Sequence, residues 1–212
     1  MFHVKHVIEP EPVAAASLFG DRIEIARDFA RELGTRGEEL GLIGPLEAER
    51  LWSRHILNCV LPAPLLRPGL VGDIGSGAGL PGLVLAIARP DVSFVLVEPM
   101  ERRVDWLRAE SERLGLQNVA VERARAEDAP LVERLDQVTA RAVSALSKLI
   151  PITAPLVKRG GELVFMKGAR VDGEVVAAAK QIRAARLRDV EVIVLGEGIV
   201  PEVTRVFRAT VD

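Results

Sequence analysis

Val71-Gly72-Asp73-Ile74-Gly75-Ser76-Gly77-Ala78-Gly79-Leu80-Pro81-Gly82 is the stretch whose reading decides the fold. An apolar run, Leu70-Val71, leads into an acid; glycines follow at alternate positions, and then an apolar segment of helical length, Leu83 to Ala88. That order is strand, tight turn, helix. Glycine takes positive φ at no steric cost and lets backbone N–H groups approach a ligand closely. Pro81 suits a first helical turn, where its missing N–H is not needed. A second acid, Glu98, closes the next apolar run, Val92 to Val97. It therefore stands at the tip of a neighbouring strand, where a carboxylate can hold both hydroxyls of a ribose. The pattern points to a nucleoside-bearing ligand.

The glycines fit two frames. Gly77, Gly79 and Gly82 satisfy G-x-G-x-x-G, the dinucleotide fingerprint. Gly75, Gly77 and Gly79 satisfy G-x-G-x-G with Asp73 two residues upstream. The dinucleotide frame wants its first glycine at the strand end, and from Gly75 the frame fails at Leu80. Asp73 would also repel a pyrophosphate, whereas it attracts the ammonium of S-adenosylmethionine (SAM). SAM is the favoured ligand. A glycine turn with no ligand would cost backbone entropy without return.

Composition narrows the class. The chain has 212 residues, 49% hydrophobic and 27% charged, enough for one sizeable domain with an extension. No segment reaches the roughly 20 apolar residues of a membrane helix. The N-terminal stretch, with Glu9, Glu11 and Pro12, lacks the apolar core of a signal peptide. Cys59 is the only cysteine, and His3, His6 and His55 are scattered, so neither a disulfide nor a metal site is expected. The expectation is a soluble, cytoplasmic monomer without metal. Net charge is −2, which argues against a generic basic nucleic-acid binder, although local arginine clusters could still grip phosphate.

Residues 1–14 read as mobile. Asp21 is placed to cap a helix carrying Ile23, Ala26, Phe29, Ala30 and Leu33, stopped by Gly34. Pro45 opens a second helix to about Val60, and a proline-rich connector follows. These features predict a helical extension over 1–66. Over 67–212 the rhythm changes to strands at 70–74, 93–97, 119–121, 138–141 and 162–167, alternating with helices at 81–89, 101–114 and 129–134, a segment from Ser144, and 173–186. Pro151 and Pro155 must kink or split the Ser144 segment. Gly160-Gly161 reads as a turn into the fifth strand. The apolar runs are continuous, as a doubly covered parallel sheet requires. Strands at 190–195 and 203–211 are too closely spaced for a crossover helix and are predicted to pair antiparallel. The fold class is α/β: a Rossmann-like, doubly wound class I methyltransferase sheet, mostly parallel, with a C-terminal antiparallel hairpin.

In open sheets of this kind the ligand lies at the carboxyl ends of the strands. That rule nominates Asp73 and Gly75, Glu98, Ala126-Glu127, Arg141 and Lys167. Glu127 could read the adenine edge or cap a short helix. Arg141, a charge at the edge of an apolar sheet, needs a partner: a ligand carboxylate, a phosphate or a structural acid. Arg50, Arg54, His55 and Asn58 form one polar stripe, either a solvated face or the wall of the acceptor site. No Asn-Pro-Pro-Tyr-like motif and no cysteine near a strand end is present. An acceptor with a free lone pair, such as a ring nitrogen, needs neither; rate would come from alignment and exclusion of water.

Asp-Ile-Gly-Ser-Gly-Ala-Gly-Leu-Pro-Gly (73–82), Arg-His-Ile-Leu-Asn-Cys (54–59), Arg-Ala-Glu (125–127), Thr-Ala-Arg-Ala (139–142) and Lys-Gly (167–168) resemble the RsmG (GidB) family, bacterial enzymes that methylate N7 of a guanine in 16S ribosomal RNA. The likeness spans about residues 20–212. It implies SAM contacts at Gly75, Leu80, Ala126, Glu127 and Arg141. The combined reading has Asp73 with Gly75, Gly77 and Gly79 at the methionine end, Glu98 at the ribose, and Ala126-Glu127 at the adenine. Arg141, Lys167, Arg54 and His55 then surround the acceptor. The expected partner is 16S rRNA in the 30S subunit or an assembly intermediate. Asn58-Cys59 departs from the family's frequent Asp-Ser. Rival readings are a methyltransferase for a small molecule or protein, a SAM-binding regulator without turnover, and a nicotinamide oxidoreductase.

Overall fold

The computed structural model describes residues 7–212. Its centre is a seven-stranded sheet in the order β3-β2-β1-β4-β5-β7-β6. The strands are β1 (Leu70–Ile74), β2 (Ser93–Val97), β3 (Val119–Glu122), β4 (Leu135–Arg141), β5 (Val157–Lys167), β6 (Leu187–Leu195) and β7 (Thr204–Val211). The first five are parallel, and β7 lies antiparallel between β5 and β6. The parallel sheet with its terminal hairpin is as the sequence predicts. The winding reverses between β1 and β4, and the carboxyl ends of these two strands open the crevice that holds the site.

Continuous apolar strands follow from burial on both faces. Phe94 and Leu96 of β2 join one apolar cluster, while Val95 and Val97 join the other. The first cluster is closed by α1 (Ala14–Phe19), α2 (Ile23–Arg36), a helical run over 47–60, α4 (Gly82–Ala88) and α5 (Glu101–Arg113). In the 47–60 run, α3 (Leu57–Val60) is the only α-helical part. The second cluster is closed by α6 (Leu146–Thr153), α7 (Val171–Ala177) and α8 (Ala179–Ala184). Phe29, Leu33, Trp52 and Ile56, all before β1, pack with Leu83, Ile87 and Phe94 in one core. The helices preceding the sheet are therefore bonded to it by apolar burial rather than tethered beside it.

Several local expectations need correction. Of the stretch read as mobile, residues 1–6 lie outside the described residues. The rest is tied down: Glu9 accepts from Ser53 N at 2.9 Å, and Glu11 takes a bidentate contact from Arg27 at 2.6 and 2.8 Å. The short α1 was not foreseen. Gly34 does not stop α2, which runs to Arg36; its carbonyl end is closed at Gly37, whose N–H donates to Leu33 O. Asp21 makes no side-chain cap; it sits in a 3-10 turn before α2. The second helix starts at Glu47, not Pro45, and changes type twice. It is a 3-10 turn (Glu47–Arg50), then a π-helix (Leu51–Ile56), then α3. No helix forms over 129–134: after a 3-10 turn (Ala126–Asp128) the chain bends, and Glu133 takes φ 51°. Gly160-Gly161 is not a turn before β5 but lies within it, where the β4 register jumps from Leu135↔Val157 to Gln137↔Glu162. Bulge and turn use glycine for the same reason, positive φ or close approach, so composition alone does not separate them. The helix expected at 173–186 is two helices broken at Ala178.

Gly82 shows how tightly the turn is fitted. A Cβ there would lie 2.4 Å from Asp73 Oδ2 and 2.4 Å from Leu96 Cδ2, both buried. The G82A protein is expected to lose about 1–3 kcal/mol of stability, read as a lower denaturant midpoint with unchanged slope.

Candidate active site

The turn after β1 is held from behind. Gly75 (φ 71°), Gly77 (φ 56°) and Gly79 (φ 90°) all take the left-handed backbone that favours glycine. Gly75 N donates to Val97 O at 2.9 Å. Glu98, 2% exposed, accepts from Gly77 N and from Met100 N, both at 3.0 Å. Its carboxylate is thus engaged by two backbone donors. Asp73 is fully buried; its Oδ2 accepts from Gly82 N at 3.0 Å, and its Oδ1 has no partner. Burial pushes the Asp73 carboxyl up to about 7, with Glu98 nearby adding to the effect.

In front of the turn lies a cavity of about 420 Å³. Its floor is Gly75, Ser76, Gly77, Ala78 and Leu80, and its opposite wall comes from Glu47, Arg54 and His55 of the helical run. A second cavity of about 630 Å³ adjoins it, lined by Arg54, Asn58, Lys167 and Arg205 among others. Arg54, Arg141 and Ala142 belong to both. Ala142 takes φ 55°, a strained value for a residue with a Cβ, at the junction of the two spaces.

Arg141 is fixed by neutral groups. Its Nη2 lies 2.6 Å from His55 Nδ1, and its Nη1 donates to Cys59 Sγ at 3.0 Å. Since a guanidinium only donates, His55 Nδ1 must accept, and the ring carries its proton on Nε2, facing Glu47 Oε2. Burial, then the Arg141 charge, hold the His55 pKa below its ordinary value, so the ring is neutral at physiological pH. Burial would raise Glu47, but hydrogen bonds from Arg50 and His55 outweigh it and hold the carboxyl below its usual range. Burial pushes the Cys59 thiol up, which keeps it protonated and unreactive. Among the described residues the Arg141 guanidinium therefore has no carboxylate bonded to it, and its charge is presented to both cavities.

The polar stripe is divided by the π-helix. Arg54 and His55 face the first cavity, Arg54 and Asn58 the second, while Arg50 is turned onto Glu47. Lys167 lines the second cavity with its ammonium on Glu174 (2.7 Å) and Ser144 O (2.8 Å). Asp73, Glu98, Ala126 and Glu127 do not line the first cavity; the first two stand behind its floor, and Glu127 is exposed on the 3-10 turn after β3. Sequence reasoning missed Glu47, Arg103, Ala142 and Arg205, all of which line one cavity or the other. Arg205 could have been found from the predicted hairpin, because a strand antiparallel to β5 must place some residue opposite Lys167, and Arg205 is that residue. Among the described residues no group of three His, Cys, Asp or Glu could hold a metal, and no helix is long and apolar enough to cross a membrane.

The residues fit the nucleoside ligand. The space lies within the 300–1,000 Å³ usual for small-molecule sites. Its floor turns through Gly75 and Gly77 at φ 71° and 56°, a backbone path that favours glycine. A buried carboxylate with one free oxygen stands behind it. A glycine turn at the switch point of this sheet, facing a cavity joined to a basic one, defines a class I methyltransferase. Solved structures agree on the fold. A SAM-dependent methyltransferase from Aquifex aeolicus superposes with a TM-score of 0.57 at 19% identity over 81% of this chain and 96% of that one. The M. jannaschii TYW2 structure in complex with AdoMet gives 0.59 at 20% identity over 76% of each. In sequence, the family model GidB, rRNA small subunit methyltransferase G, matches residues 22–202. A relative from Clavibacter michiganensis subsp. michiganensis named ribosomal RNA small subunit methyltransferase G is 70% identical over 205 residues, 97% of each chain. One of the same name from Arthrobacter sp. (strain FB24) is 51% identical over 200 residues, 94% of this chain and 93% of that one. The chain belongs to the rRNA small subunit methyltransferase G family.

Proposed function

We propose that this chain transfers a methyl group from SAM to N7 of one guanine in 16S rRNA, on the 30S particle or an assembly intermediate, as a cytoplasmic monomer. The observation that carries the reading is the pair of adjoining cavities sharing Arg54, Arg141 and Ala142, one floored by the glycine turn and one basic. SAM, when bound, supplies a methyl group on a positively charged sulfur. The N7 lone pair forms the new C–N bond as the C–S bond breaks, and no proton leaves N7.

The chain's own residues then have positioning work. Gly75, Gly77 and Gly79 let the backbone come close to the ligand, and Asp73 and Glu98 hold that turn and give its rear a negative potential. Ala126 and Glu127 stand at the adenine end of this reading. Arg141, anchored by His55 and Cys59, places a positive charge at the junction, where it can bond guanine O6 or a phosphate. Arg54 and Lys167 flank it. The helical extension, 1–66, and the methyltransferase unit, 67–212, both contribute, since Glu47, Arg54 and His55 come from the extension. With a net charge of −2, recognition of the particle's shape has to supplement phosphate contacts. The target base must leave its stack to reach the junction.

The test is mass-spectrometric mapping of 16S rRNA after incubating hypomethylated 30S subunits with the protein and labelled SAM. One labelled guanine supports the reading, and SAM binding without label in RNA rejects it. The pH profile is a second expected result. N7 needs no base, and His55 is already neutral because its pKa is lowered. With SAM saturating, methyl transfer should therefore stay flat from pH 9 down to about 6.5. Below that, protonation of His55 removes the acceptor for Arg141, and activity falls. A steep limb between pH 6.5 and 9 that disappears in H55Q would overturn the reading.

A further inference from the structure

The second cavity holds cations that differ in how far they are already satisfied. Lys167 is paired with Glu174, and Arg141 is anchored by His55 and Cys59. Arg205, half-buried on β7 and opposite Lys167 in the strand register, has a guanidinium with no hydrogen-bond or ion-pair partner among the described residues. Arg54 reaches across the mouth of the cavity to Glu202, with Nη1 3.2 Å from Oε2. Glu202 lies on the irregular segment between β6 and β7, with its side chain 67% exposed. A carboxylate on a guanidinium has the geometry and charge with which a phosphodiester would bind the same group.

We propose that Arg54 and Arg205 form a backbone-phosphate site for the single-stranded RNA segment carrying the target base, and that Glu202 is a resident carboxylate which the phosphate displaces. The inference rests on the RNA-methylation reading above and adds to it which groups hold the strand and what competes for them. Three features support it. The cavity joins the glycine-turn cavity directly, through Arg54 and Arg141. An unpaired, half-buried guanidinium is costly unless a ligand pairs it. And an exposed ion pair is weak, so RNA can exchange it readily. The competing acid sets a threshold: a strand has to displace Glu202 before Arg54 can hold its phosphate.

The test is equilibrium binding, by fluorescence polarisation, of a short fluorescein-labelled single-stranded RNA to the full chain across 50–300 mM KCl (about the range over which phosphate contacts are resolved). The R205Q protein is expected to bind several-fold more weakly, with the slope of log K against log[salt] shallower by about 0.7, the value of one lost phosphate contact on a single strand. R205K should recover most of the slope. E202Q is expected to bind more tightly than the wild type. Tryptophan fluorescence and SAM binding confirm that each variant is folded. An R205Q slope equal to that of the wild type, or an E202Q protein that binds more weakly, overturns the proposal. Binding needs no turnover, so the result stands apart from the mapping of methylated 16S rRNA, whose failure would reject the reaction and not the phosphate site.

Discussion

An R141M protein is expected to lose at least about 100-fold in methyl transfer, measured as kcat/KM with 30S subunits, which corresponds to about 2.7 kcal/mol of transition-state stabilisation. Methionine keeps an unbranched apolar stem and removes the guanidinium with its five donors. His55 Nδ1 and Cys59 Sγ then face an apolar neighbour, and the junction of the two cavities loses its shared charge. R141K should not rescue activity: an ammonium presents its three donors from one atom on a shorter side chain, and lacks the spread of the planar guanidinium needed to span imidazole, sulfur and acceptor. The informative companion is H55Q, whose amide oxygen can accept from Arg141 in place of Nδ1. If Arg141 acts through its placement, H55Q retains far more activity than R141M. Equal losses in the two would assign the effect to the packing of the helical run instead.

SAM affinity is expected to rise with pH up to about 7 and to level off above it. Asp73 has a folded pKa near 7 against an ordinary value of 3.8, so the ligand-free protein holds this proton through the acidic range. The sign follows from linkage. The folded state binds more protons than the unfolded one between about pH 4 and 7, so ligand-free stability declines as pH rises through that window. A cation seated in front of the glycine turn favours the carboxylate and must expel the proton. Binding below pH 7 is therefore opposed by up to tenfold per pH unit, and above it the opposition ends. Calorimetric titration of SAM at pH 6 in two buffers of different ionisation heat should show close to one proton released, and at pH 8 almost none. D73N should abolish this proton release and, at pH 8, weaken binding by about 100-fold, because an amide keeps the Gly82 contact but not the charge. Unchanged proton release in D73N would assign the titration to another group.

The sheet was legible because its physics is repeated. β1, β2, β4 and the C-terminal half of β5 are buried by helices on both faces, so continuous apolar runs mark them, and the rule of carboxyl ends converts strand tips into site candidates. Arg141 and Lys167 were found in this way, and both line a cavity. Where two structures share one local signal, the reading went astray. Leu131, Val132 and Glu133 have the spacing of a helical turn, but Pro130 and the left-handed Glu133 make them a bend. Gly160-Gly161 reads as a turn or as a bulge with equal right. The polar stripe on the extension could be listed from its spacing, yet its partners could not. Glu47 meets His55 through a π-helix that no propensity scale registers, and Arg141 reaches both His55 and Cys59 only after β4 has been laid beside β1. Asp73 and Glu98 illustrate a different limit. Their positions were foreseen, but whether a carboxylate faces a ligand or the backbone behind it depends on rotamers that the order of residues does not record.

The π-helix at Leu51–Ile56 has a consequence for how this segment tolerates change in length. A π-turn accommodates one residue more than an α-helix would over the same rise, and it keeps the flanking turns in phase around that surplus. Removing a single residue between 51 and 56 takes out that surplus, and the segment can close as an ordinary α-helix with its flanking turns still in phase. Adding a residue there, or deleting one beyond either end of the π-turn, would instead rotate everything on one side by about 100° relative to the other. Trp52 and Leu51 could then stay in the core only if Arg54 and His55 left the cavity wall, or the reverse. The π-turn is thus the one place in this run where the chain can shorten by a residue and keep its two faces aligned.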